Sequence, residues 1–182
     1  MFSKYTRQLN EIYNDDFKKL RTGTILYGHL YEGRYHTCIN RPLKVEEIEE
    51  FEQAKGYFPN NYKEMLQHFN GLYLFDLINI AGKTRETMRG LSIEEQVHEP
   101  TDLENIMPDL KANQRLPENS FAFASSMITD TFYVLKEEGQ VLELDCKKLH
   151  VVQEFSSLEQ LLDIIFEQGK MIVEKGEYLE FE

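Results

Sequence analysis

The spacing of hydrophobic and polar positions predicts amphipathic helices in the first part of the chain. In residues 3–21 the apolar residues recur every three or four positions, which is the period of one helical face. A second helix is predicted after Pro42, with Ile48 and Phe51 on its apolar face and Gly56 as its end. Each apolar stripe should pack against another element.

A third helix is predicted shortly after the second. Asn61 precedes Glu64 by three residues, as in a capping box, and apolar residues with helical spacing follow. The dipeptide Asn70-Gly71 is typical of a helix end, because both residues tolerate a positive φ.

Strands are predicted on both sides of the second and third helices. A turn at Glu32-Gly33 joins two short extended runs. Residues 72–82 are apolar and predict one strand, with a bend. Residues 83–120 are the least apolar part and predict a mostly exposed connection with some short helix.

The last third of the chain predicts an antiparallel sheet and a closing helix. Four strands are expected within FAFAS, TFYVLK, QVLELD and HVVQEF, with a hairpin turn at Glu137-Glu138-Gly139. Ser156 and Glu159 form a capping box before the closing helix, and Gly169 suits its end. Helices, then strands, then a helix predict an α+β fold, with a mostly meander sheet and helices packed on one side.

Composition limits the class of partner. The 182 residues suit one domain, or one domain with an extension, and 41% hydrophobic content is enough for a core. With 20 Lys+Arg against 32 Asp+Glu the formal net charge is −12. Because phosphate groups repel an acidic surface, nucleic acid and anionic membranes are disfavoured as partners.

The charge is unevenly distributed. Residues 1–42 hold seven basic and four acidic residues, a local +3, whereas residues 43–182 hold thirteen and twenty-eight, a local −15. Such a field attracts a basic partner and speeds the encounter. Acidity that serves only solubility is the alternative interpretation.

The compartment is expected to be the cytoplasm. The N-terminal sequence has no apolar segment typical of a signal peptide, and no stretch approaches the ~20 apolar residues of a transmembrane helix. Cys38 and Cys146 are the only cysteines and form no CxxC pair, so each is predicted to be a buried apolar residue.

Candidate chemistry is sparse. Gly82-Lys83-Thr84 is like the end of a phosphate-binding loop, but Leu77 stands where that loop needs its first glycine, so a polar strand exit is favoured. A hairpin would bring His29 near His36, yet two ligands do not make a metal site. No catalytic residue, metal or cofactor is predicted.

Two segments together form a recognisable pattern. Residues 42–82 run from a glutamate-rich helix through Phe58-Pro59 and a further helix to Asn-Gly, and residues 151–162 are a strand followed by a capped helix. This order resembles the SUKH superfamily, the Smi/Knr-like family, over about residues 41–168. The chain departs from the family in having no Trp. The matching structural positions are Phe51, Pro59, Tyr62, Asn70, Gly71, Phe155 and Leu161.

The resemblance implies a Smi/Knr-like domain at residues 41–182, with residues 1–40 as an extension packed on it. It further implies a non-enzymatic protein-binding module, as in bacterial immunity proteins that neutralise a cognate toxin by occluding its active site. A basic, nuclease-like toxin would complement the acidic body. The alternative is an intracellular regulatory scaffold like the family's yeast cell-wall regulator. A monomer or weak dimer is expected.

Partner binding is predicted in the acidic part of the chain that is expected to be exposed. The regions are the connection at 92–119 and the turns near residues 130 and 137. The candidate residues are Glu94, Glu95, Glu99, Asp102, Glu104, Asp130, Glu137 and Glu138.

Overall fold

In the computed structural model, residues 2–31, 33–106, 116–118 and 120–178 are described, and they form an α+β fold on a nine-stranded antiparallel sheet. The strands are β1 (Phe17–Lys19), β2 (Ile25–Tyr31), β3 (Arg34–Ile39), β4 (Leu72–Leu74), β5 (Ile78–Ile80), β6 (Ser120–Ser126), β7 (Thr131–Lys136), β8 (Val141–Asp145) and β9 (Val151–Phe155). Every strand pairs with the next one in sequence, so the sheet is a meander throughout. The predicted fold class is confirmed.

The helices of the described residues are α1 (Ser3–Ile12), α2 (Val45–Lys55), α3 (Asn60–Leu66), α4 (Ile93–Val97) and α5 (Leu158–Lys175), with a 3-10 turn at Leu103–Asn105. Four of them share one core with the sheet. Leu9 of α1, Phe51 of α2, Tyr62 of α3 and Phe166 of α5 lie in the same buried cluster as Ile78 of β5. Each such side chain contributes about 1.5–3 kcal/mol by leaving water.

The opposite face of the sheet is covered in part by the connection between β5 and β6. Side chains alternate along a strand, so Cys38 and Tyr73 point away from the main core, in a small cluster with Leu26. The ring of His98, next to α4, contacts the ring of Tyr35 with centroids 5.6 Å apart. The connection, predicted to be mostly exposed, is therefore packed on the sheet around α4; residues 107–115, including Pro108, lie outside the described residues.

The first helix is shorter than predicted. It ends at Ile12, because Asn14 and Asp15 adopt φ of 53° and 58° and reverse the chain. The last apolar residues of the predicted stripe, among them Phe17, belong to the edge of the sheet or to the turn that follows β1. The spacing of apolar residues does not reveal a turn in which Asn and Asp adopt the left-handed backbone conformation.

Residues 72–82 form a hairpin rather than one bent strand. Leu74 of β4 pairs with Ile78 of β5, and the chain turns through Phe75 and Asp76 at φ of 56° and 57°. Asp76 is the only residue of this turn whose type favours turns, and without a following glycine it is a weak signal for a hairpin.

Two predicted helix signals are wrong in detail. Helix α3 begins after Pro59 with no side-chain cap, so Asn61 and Glu64 do not form a capping box. Helix α5 is capped by the hydroxyl of Ser157, one residue after the predicted Ser156.

The closing helix also extends beyond its predicted end. It passes Gly169 and stops at Gly176, whose φ is 68°. A Cβ at Gly169 would overlap the ring of Phe75, so this glycine allows close packing instead of ending the helix.

The first forty residues pack on the rest of the chain. Strand β3 pairs with β4, which places both parts in one sheet. On α1, the Tyr5 ring lies 4.8 Å from that of Phe166, and Lys4 forms an ion pair with Asp163. The domain boundary at residue 41 stays a prediction.

Candidate functional site

The five candidate acids of the connection all form ion pairs within the chain. The pairs are Glu94 with Lys18, Glu95 with Arg21, Glu99 with Arg85, and Asp102 and Glu104 with Lys55, at N–O distances of 2.7–3.0 Å. The pairs with Lys18, Arg21 and Lys55 join the connection to β1, to the turn after β1 and to α2, whereas the pair of Glu99 with Arg85 lies within the connection. Much of the charge expected to attract a partner is therefore balanced inside the fold.

These five carboxylates differ in exposure. The side chains of Glu95 and Glu99 are only 4% and 7% exposed, whereas that of Glu104 is 78% exposed. Hydrogen bonds from Arg21 and from the backbone of Ser92 lower the pKa of Glu95 to about 2. Glu95 and Glu99 thus serve the fold, and Glu104 is accessible to a partner.

The candidate acids of the turns lie at opposite ends of β7. Asp130 precedes the strand and forms an ion pair with Lys147, whereas Glu137 and Glu138 follow it in the predicted hairpin turn. A strand of six residues separates its ends by roughly 20 Å. All three side chains are exposed, but the structure does not bring them together as one site.

Two large apolar side chains on α4 are open to solvent. Ile93 is 80% exposed and Val97 is 63% exposed, and their i, i+4 spacing places them one turn apart on the same side of the helix. Apolar residues ringed by charged ones are typical of the centre of a protein interface. Sequence analysis missed this pair, although the i, i+4 spacing of Ile93 and Val97 in a short acidic helix is its signal.

A groove of about 430 Å³ adjoins α4 on the same face of the sheet. Val97 and His98 form one wall, and Tyr35 and Tyr73 of β3 and β4 line it as well. The α4 helix meets this groove at Val97, and polar side chains such as Asn79 and Thr101 line the groove together with the tyrosines. We call the helix and the groove together the α4 surface.

The motif residues lie inside the fold and contact its backbone or core. Tyr62 is fully buried, and its hydroxyl donates to the carbonyl oxygen of Ala81 at 2.9 Å, so it does not reach a partner. The side-chain amide of Asn70 bonds both backbone groups of Lys83, at 2.6 and 2.8 Å. With α3 ending at residue 66, Asn70 and Gly71 join the helix to β4 rather than ending it. The other motif residues, Phe51, Pro59, Phe155 and Leu161, are buried.

The segment like a phosphate-binding loop has other roles. The Lys83 ammonium pairs with Glu50 at 3.0 Å, and the Thr84 hydroxyl donates to Asp102. Gly82 lies against the backbone of Asn70. The favoured interpretation, a polar exit from a strand, agrees with this geometry.

A buried polar cluster lies under the β4–β5 hairpin and was not foreseen. Asp76 accepts hydrogen bonds from Arg34 at 2.6 Å and from Tyr73 at 2.8 Å. The Nε2 atom of His36 is 4.0 Å from Asp76, and the Tyr13 hydroxyl lies 2.7 Å from His36 Nδ1. Burial lowers the pKa of His36. With His36 and Asp76 both fully buried, the cluster holds the hairpin in place and is closed to substrates.

The two thiols are poor nucleophiles. Cys38 is buried, as predicted, and its burial raises its pKa to about 12. Cys146 is exposed, contrary to prediction, because it lies in the turn after β8; partial burial and then Asp130 raise its pKa to about 11. Among the described residues, no three His, Cys, Asp or Glu side chains gather as metal ligands would.

Comparison with known families gives one finding. The model of the SMI1 / KNR4 family (SUKH-1) matches residues 42–164, which is 123 of the 182 residues. No curated protein matches the chain. In the part that the structure describes, no helix has the length and apolar character needed to cross a bilayer. The family match includes α4 and leaves out α1, β1 to β3 and the second half of α5.

Proposed function

The chain belongs to the SMI1 / KNR4 family (SUKH-1), and we propose that it is a protein-binding module that acts as an immunity protein. In this proposal it neutralises a cognate toxin, basic and nuclease-like, by occluding the toxin's active site in the cytoplasm. No catalytic step is assigned to it.

The observation that carries the proposal is the −15 charge of residues 43–182. Many exposed carboxylates there form no ion pair with a described residue. They include Glu46, Glu49, Glu64, Glu137, Glu154 and Glu167. A surface with such an excess raises the rate at which a basic protein binds.

We propose the α4 surface as the centre of the interface. Ile93 and Val97 offer apolar contact area, and Glu94 supplies charge on the same helix. Glu104 is a second exposed acid of the connection, farther along the chain and paired with Lys55 of α2. Buried apolar anchors carry most of the affinity of an interface, whereas rim charges act mainly on the association rate. In this proposal the candidate acids Asp130, Glu137 and Glu138 lie outside the centre of the interface.

The test is to coexpress the chain with the toxin domain encoded beside it and to score survival and binding. Ile93→Ala with Val97→Ala should weaken binding about tenfold or more, because both anchors are lost. Glu94→Gln with Glu104→Gln should slow association and reduce its dependence on salt. The matched control is Glu46→Gln with Glu49→Gln, which removes the same charge from α2.

The regulatory-scaffold alternative would be supported if the unaltered chain does not rescue cells from the toxin domain and instead captures several endogenous partners. Equal effects of the α4 and α2 charge variants would show that the α4 surface is not the centre of the interface.

A further inference from the structure

A second groove lies between α1 and α5, with a volume of about 670 Å³. Its lining includes two apolar residues, Ile12 of α1 and Phe166 of α5. Both helices pack on the face of the sheet opposite to the α4 surface. The groove is therefore separate from the interface proposed above.

The walls of this groove carry an excess of negative charge. Four carboxylates and two ammonium groups line it, namely Glu11, Asp163, Glu167 and Glu174 with Lys4 and Lys170. The two lysines pair with Asp163 at 2.7 Å and Glu174 at 3.7 Å. Glu11 has only Arg7 at 3.9 Å, and Glu167 has no ion partner among the described residues, so both remain open to a cation.

The groove belongs to the parts of the chain that the family does not define. Helix α1 and the second half of α5 lie outside the matched residues 42–164, and of the lining only Asp163 lies within them. Its function is thus expected to be particular to this chain.

We propose that this groove binds a basic amphipathic segment of a protein partner. Lysine or arginine side chains of the segment pair with Glu11 and Glu167, and its apolar side chains rest on Ile12, which is only partly buried. This is the helix-in-groove mode of recognition, with charge complementarity deciding the partner. The proposal for this groove does not depend on whether the α4 surface binds a toxin.

The test is a fluorescence-anisotropy titration of the full chain with a synthetic amphipathic peptide whose polar face holds only lysine and arginine. Glu11→Gln with Glu167→Gln should weaken binding about tenfold at low ionic strength, since two ion pairs are lost. Both residues are exposed, so the fold should be kept, as circular dichroism would show. The matched control, Glu46→Gln with Glu49→Gln, should bind as the unaltered chain does.

The proposal is overturned by no binding, by equal loss in the two charge variants, or by equal binding of a scrambled peptide of the same composition. Ile93→Ala with Val97→Ala should leave the affinity for the peptide unchanged, which separates this site from the α4 surface.

Discussion

Single polar side chains fix the junction between α3 and the β4–β5 hairpin. The hydroxyl of Tyr62 and the amide of Asn70 bond backbone groups of Ala81 and Lys83, just after β5. The geometry ties a helix to the strand exit without any charge. These motif residues are therefore expected to act on stability and not on recognition.

Tyr62→Phe should lower the free energy of unfolding by about 1–2 kcal/mol, because a buried hydrogen bond to the Ala81 carbonyl is lost. The measurement is a urea titration, in which the midpoint falls and the slope stays the same. Tyr57→Phe, at an exposed tyrosine, is the control and should have no effect. Equal midpoints for the two variants would contradict the assigned bond.

His36 should make stability depend on pH. Its ring is buried among Tyr13, Asp76, Arg34 and Tyr178, and burial lowers its pKa below the ordinary 6.5. The unfolded chain then binds the proton more readily, so the free energy of unfolding falls as the pH drops below about 6.5. Carboxylates with a lowered pKa, such as Glu95 with a pKa of about 2, also make the free energy of unfolding fall on acidification, but only at lower pH.

The measurement is a series of urea titrations between about pH 7 and pH 5. His36→Gln should flatten the pH dependence, whereas His150→Gln, at an exposed position, should leave it unchanged. If the free energy of unfolding changes with pH equally in the unaltered chain and in His36→Gln, this histidine is not the source of the pH dependence.

At the scale of elements, α5 lies directly on the turn between β4 and β5. The Phe75 ring meets Phe166 at a centroid distance of 5.2 Å and fills the space beside Gly169. A glycine in the middle of a helix costs about 1 kcal/mol relative to alanine, so this contact explains its place there.

Gly169→Ala should therefore destabilise the protein by about 1–3 kcal/mol, although alanine favours a helix. The reason is overlap of the new methyl group with the Phe75 ring. Thermal unfolding measures the change. Gln168→Ala, on the exposed side of α5, is the control and should shift the midpoint little. A stabilising effect of Gly169→Ala would contradict the close packing.

At the scale of the molecule, the sheet runs without interruption from β1 to β9. The three strands that precede the family match continue the sheet at β4, and α1 completes the core beside α5. The extension is thus part of the structure that supports both proposed surfaces.

A chain reduced to residues 41–182 should fail to give a stable monomer. Its β4 edge and the core surface under α1, including Phe166, would be exposed, which favours aggregation. Gel filtration and thermal unfolding of the truncated and complete chains measure this. A truncated chain with an unchanged midpoint would support an independent domain at residues 41–182.

The candidate site was only partly predictable. Charge counting found the acidic connection, but Glu95 pairs with Arg21, 74 residues away, and Glu99 pairs with Arg85 of the same connection. Ion pairing depends on what the fold brings within a few ångströms, and one sequence does not show that. The exposed Ile93 was missed for the same reason, since exposure depends on how α4 lies on the sheet.

Local periodicity and motif order were enough to predict the fold class, the strands from β6 to β9 and the family. The end of α1, the hairpin within residues 72–82 and the carboxylates that stay unpaired became visible only in the folded chain. Phe75 has a positive φ and donates its N–H to the Thr37 hydroxyl, and Glu95 pairs with Arg21, so both depend on contacts between distant segments. The turn after α1 is local, with the Asp15 N–H bonded to the Asn10 carbonyl, but apolar spacing does not reveal it.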